Sequence, residues 1–158
     1  MLLGIYLNDH LAGATIGREL VHRSAHSNRD TSLEPFLTEL AQEIDEDRAT
    51  LLEIMAALDV PVDRAKVWAA WLGEKAGRLK LNGRLYGYSP MSRVVELEGL
   101  ALGVTGKRAG WRTLKLLAPG LPALEPFDLD ELERRADGQL ESLEVNRRQA
   151  VAAAFPDP

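Results

Sequence analysis

Few residues in this chain have chemical reach, and they cluster. There are three histidines, His10, His22 and His26, and no cysteine. The missing cysteine removes thiol nucleophiles, Cys-ligated zinc, iron–sulfur clusters and disulfides from consideration. His22 and His26 stand four residues apart with Glu19 beside them. On a helix that spacing suits a shared metal ion, and it equally describes a pair of surface histidines. His10, Asp47, Arg48, Lys107, Arg108 and Arg147 are of another kind, because they fall within or beside apolar helical stripes, or at the level of those that do. A charge in such a stripe costs several kcal/mol unless it is paired. Catalytic signatures are lacking: there is no G-x-S-x-G elbow, P-loop or dinucleotide fingerprint. Gly103–Gly110 reads GVTGKRAG, which offers Gly-x-x-Gly-Lys alone, with no strand pattern before it. No catalytic residue and no cofactor is assigned.

A second cluster lies at 61–93. It holds seven basic and two acidic residues and four of the nine aromatics. Trp68, Trp71, Lys75, Arg78, Lys80, Arg84, Tyr86 and Tyr88 are its candidate ligand- or partner-binding residues. Cations interleaved with aromatics grip single-stranded nucleic acid or an anionic membrane surface. They equally serve a protein interface, or a crossover whose aromatics pack inward while its cations face acidic helices. The net charge of -5 conceals an acid–base–acid order. Residues 1–60 carry a net -7, residues 61–120 a net +7 and residues 121–158 a net -5. Overall acidity argues against nucleic acid or membrane as the partner. A homodimer or a protein partner is the open alternative.

Helices must position these groups. Apolar residues recur at helical period over about 2–27, 32–58, 64–79, 91–118 and 128–154, and no strand pattern competes. Thr31 and Glu34 have capping-box spacing for the second helix, and Asp63 and Asp128 stand where caps are expected. Gly99, Gly103, Gly106 and Gly110 lie inside the 91–118 helix, predicting a bend or unusually close packing. Gly13 and Gly17 form a small-x-x-x-small pair, predicting close helix contact. The break at Asn28–Thr31 is too short for anything but an antiparallel hairpin. His10 then lies about as far before the turn as Asp47 and Arg48 lie after it. If the 91–118 helix runs parallel to the second, as the bundle resemblance given below implies, Lys107 and Arg108 come to the same level. The expectation is a polar layer of His10, Asp47, Arg48, Arg108 and Arg147, titrating His10 apart from the other histidines.

With 158 residues, 46% apolar and 27% charged, the chain is sized for one globular domain, 1–158. Its start lacks a basic n-region and it has no apolar run of membrane-spanning length, so a cytoplasmic location is expected.

Four long helices joined by a short turn, a long connection and a short turn resemble the ferritin-like superfamily, an all-α four-helix bundle whose long crossover here contains an extra short helix. That resemblance implies a core Glu on two helices and Glu-x-x-His on the other two. This chain has Glu43-x-x-Glu46, Glu141-x-x-Glu144 and one Glu-x-x-His, Glu19 to His22. The di-metal pattern is therefore incomplete. The expected role is a non-enzymatic binding or structural module. Two alternatives remain: a degenerate metal-binding protein or oxidase using His10 and Asp47, and an anionic-ligand binder working through 61–93.

Overall fold

A computed structural model describes residues 2–65 and 89–156. Four helices dominate: α1 Leu2–Ser27, α2 Glu34–Ala57, α3 Pro90–Leu117 and α4 Leu129–Ala154, with 3-10 turns at Ala118–Gly120 and Pro122–Leu124. Among the described residues there is no strand. The 64–79 helix expected from the sequence lies outside the described residues beyond Ala65, as do Trp68, Trp71, Lys75, Arg78, Lys80, Arg84, Tyr86 and Tyr88.

Local chemistry sets the helix ends. Asp128 accepts from the Glu131 amide at 2.9 Å, as a helix cap does. Ser89 and Ser92 cap α3 reciprocally, with Pro90 in the first turn. Asp63 accepts from the Ala65 amide at 3.0 Å. The box expected at Thr31 is displaced. Glu34 reaches back to the Asp30 amide at 2.8 Å, and Thr31 Oγ1 donates to the Asn28 carbonyl at 2.7 Å. Asp30 adopts a left-handed φ of 63°, so the chain first makes tight turns and α2 starts at Glu34. At the far end of α2, Asp59 is left-handed (φ 54°). Val60 N donates to Met55 O and Asp59 N to Ala56 O, a Schellman stop.

Cross-helix pairs fix the topology. α1 and α3 are antiparallel: Tyr6 donates to Thr113, Ser24 to Glu96, and Arg93 to Asn28. α3 and α4 are antiparallel, pairing Arg108 with Asp137 and Lys115 with Glu133. α2 runs antiparallel to α1, through Arg18–Asp45, and to α4, through Arg135–Glu46. α2 and α3 are therefore parallel and diagonal across the bundle. Its apolar core includes Leu7, Leu11, Ile54, Met55, Leu100 and Leu143, all essentially inaccessible. Each such side chain contributes roughly 1.5–3 kcal/mol of burial.

Four cations of the basic middle of the chain, Lys107, Arg108, Arg112 and Lys115, face acidic residues of neighbouring helices. Arg112 and Lys115 hold the Glu133 carboxyl below the usual range by hydrogen bonding. Lys115 also pairs with Asp130. Arg108, Arg112 and Lys115 of α3 are thus turned onto α4.

Candidate functional site

Asp47 projects from α2 into the bundle and is 3% exposed. Its carboxylate accepts from Lys107 of α3 and from Arg135 of α4. Gln139, one turn beyond Arg135, accepts from Lys107 and donates to Glu43 at 2.8 Å. Arg135 also reaches Glu46 at 2.9 Å. Two pairs four residues apart, Glu43/Asp47 and Arg135/Gln139, thus meet across α2 and α4, with Lys107 inserted from α3. Burial pulls the Lys107 ammonium below the usual lysine range, and Asp47 resists that shift.

This polar layer differs in membership from the one expected. Asp47 is its centre and Lys107 its partner, but His10, Arg48, Arg108 and Arg147 do not join it. Arg108 pairs with Asp137 and Arg147 with Glu144, both on the flank of α4. Those outer positions let their long side chains reach water while pairing. Glu144 is held at about 2 by hydrogen bonds from Arg147 and Arg148. Glu43, Arg135 and Gln139 are the members that sequence reading missed. Their signal was the spacing of four beside Asp47 and beside Ala136 and Leu143.

His10 faces the other way. Its ring lies edge-on to Tyr6, with centroids 4.4 Å apart, and against Gly110 of α3. Burial lowers its pKa, with Asp9 opposing, so the ring is neutral at pH 7. A Cβ on Gly110 would sit 3.0 Å from that ring. Ten residues along α1, a Cβ on Gly99 would sit 3.1 Å from Leu20. α1 and α3 therefore approach closely at these two points, about 15 Å apart at the helical rise.

Between those points they do not. A Cβ at Gly13, Gly17, Gly103 or Gly106 would meet nothing within 4 Å. The close contact expected at Gly13 and Gly17 is absent, because these glycines face open space rather than a neighbouring helix. They line a cavity of about 210 Å³ with overwhelmingly apolar walls. Its deeper wall is built by Leu7, Leu51, Leu100 and Trp111. Four polar side chains also line it: His10, Asp47, Arg48 and Lys107. Asp47 and Lys107 are committed to each other. Arg48 forms no hydrogen bond or ion pair among the described residues, and its Nε is buried without a partner. Trp111 is 3% exposed, and its indole N–H is likewise buried and unpartnered.

His22 hydrogen-bonds Asp45 at 2.9 Å on the surface, beside Arg18. Among the described residues, no group of three or more His, Asp or Glu side chains is placed to hold a metal ion, so Glu19, His22 and His26 do not form such a cluster. Nor does any helix there have the length and apolarity to cross a membrane. Compared with known proteins, the chain matches no family model, no curated protein and no solved structure.

Proposed function

We propose that this chain is a ferritin-like bundle that lacks the di-metal ligand set and works as a non-enzymatic small-molecule-binding module. Its ligand site is the cavity between α1 and α3. One observation carries this reading: Gly13, Gly17, Gly103 and Gly106, all but Gly17 of them exposed, line the open mouth of one apolar pocket that also reaches the buried Trp111. Glycine in a helix interior costs roughly 1 kcal/mol relative to alanine. Nothing in the packing demands that cost at these positions, since each has room for a methyl group. The missing side chains leave the mouth of the pocket open to a ligand. An enclosed apolar cavity of roughly 150 Å³ accepts benzene, and this pocket, which opens to solvent, offers about 210 Å³. The antiparallel order of α1 with α2 and α3, and of α4 with both, supports the ferritin-like assignment.

The test is an NMR titration with benzene. Amide shifts should concentrate at the four cavity glycines and vanish in Gly106→Leu. Shifts spread evenly over the molecule, or none at saturation, would overturn the reading. Metal analysis of protein purified without a His-tag addresses the alternative built on His10 and Asp47. Stoichiometric iron, manganese or zinc would favour it.

A further inference from the structure

The cavity's polar groups narrow its ligand to one chemical class. We infer that it takes an apolar monoanion, such as an aliphatic carboxylate, with Arg48 holding the acidic head and the gap between α1 and α3 receiving the apolar body. The inference rests on the binding reading above and goes beyond it.

Charge comes first. Two cations, Arg48 and Lys107, and one carboxylate, Asp47, line the cavity. Asp47 is already saturated by Lys107 and Arg135. What remains is one unpaired guanidinium at a wall that is otherwise apolar. Burial keeps the neighbouring His10 neutral, so it does not alter that sum.

Donors come second. The Nε of Arg48 and the Nε1 of Trp111 are buried hydrogen-bond donors without acceptors. A buried donor left unmade costs about 1–3 kcal/mol. A hydrocarbon ligand would leave both unmade, and an ammonium ligand would add repulsion to the guanidinium. A carboxylate supplies two acceptor oxygens and matches the planar fork of Arg bidentately.

Shape comes third. The gap is closed by His10 on Gly110 at one end and by Leu20 on Gly99 at the other. A groove stopped at both ends over about 15 Å does not seat a partner helix of ordinary length. It fits a small molecule. The thin apolar lining likewise excludes polyphosphates and other multiply charged groups, whose hydration it cannot replace.

The experiment is calorimetry on the full chain with octanoate, octan-1-ol and octylamine as matched ligands. Octanoate should bind about tenfold more tightly than the alcohol, the increment of one charge-assisted contact, and octylamine more weakly than either. Arg48→Gln should bring octanoate and octanol to within about twofold and leave octanol unchanged. Gly106→Leu should remove both, and the milder Gly106→Ala, compatible with an unaltered helix, should weaken both. The Trp111 indole N–H resonance should move with octanoate. If octanoate and octanol bind equally, and Arg48→Gln changes neither, the anion assignment is overturned while the cavity reading stands. If octanoate binds undiminished in both Gly106 variants, its site lies elsewhere and this inference fails. If none of the three ligands binds, the cavity reading fails with it.

Discussion

Lys107 and Asp47 stand between two regions built on opposite terms. On the α2–α4 side, Glu43, Asp47, Lys107, Arg135 and Gln139 crowd into a network of mutual hydrogen bonds. On the α1–α3 side, one turn away, four glycines face open space and two buried donors go without acceptors. The first region shows a bundle that pairs its interior charges with care. The second therefore cannot be set down to a general looseness of the interior. Arg135 Nε, in the first region, is also buried without an acceptor, so what sets the second region apart is that its unmade donors lie beside spare volume.

The contrast can be broken from its polar side with the largest effect. Asp47→Ala leaves Lys107 and Arg135 facing each other without a counter-charge, and should cost about 3–5 kcal/mol in urea denaturation. Replacing Asp47, Lys107 and Arg135 together by Leu, Met and Leu should recover most of that loss, because an apolar layer of similar volume needs no pairing. A single variant within 1 kcal/mol of the parent would make the layer surface-like rather than structural.

From the glycine side, one substitution in two places should give opposite signs. Gly103→Ala and Gly106→Ala should each stabilise α3 by about 1 kcal/mol, since the added methyl meets nothing. Gly110→Ala, one turn on, drives its methyl to 3.0 Å from the His10 ring. Overpacking there should outweigh the propensity gain, for a net loss of about 1 kcal/mol. Thermal unfolding of the three variants side by side checks the pattern. Equal signs at all three positions would mean that α1 and α3 are evenly spaced.

The smallest effect is in pH. The folded-state pKa of His10 lies below its unfolded value of 6.5 through burial. The unfolded chain then binds more protons as pH falls, so this residue's contribution is present above pH 6.5 and is lost on acidification through and below that value. His10→Gln should flatten stability across that window. His10 should also titrate below 6.5 by NMR, and a titration at or above that value would remove the effect.

Sequence periodicity located all four described helices to within about two residues, and helix caps at Asp63 and Asp128 were legible as residue types. The level of Asp47 followed from counting out of a short hairpin turn, and that of Lys107 from assuming a third helix parallel to the second. What counting could not supply was azimuth. His10 and Asp47 stand at a similar height but on different sides of the cavity wall, so the expected pair does not form. Arg108 and Arg147 have side chains long enough to leave the stripe and meet Asp137 and Glu144. Gln139, uncharged and therefore inconspicuous, is the group that joins α2 and α4.

By itself, the sequence determined that these segments are helices and about where they stop, because those properties depend on neighbours within a turn or two, while the face that α1 buries, with Leu7, Asn8, Leu11 and Thr15, was decided by packing. Its acid–base–acid order left open whether the basic block turns inward or outward, and the structure pairs Arg108, Arg112 and Lys115 of α3 with α4. Only the tertiary structure decided what the glycines are for. A helix glycine is compatible with close approach or with open space, and the choice rests on the distance to another helix. At Gly99 and Gly110 that distance is short, and at Gly13, Gly17, Gly103 and Gly106 it is not. That difference, set by where His10 and Leu20 wedge α1 against α3, makes the cavity.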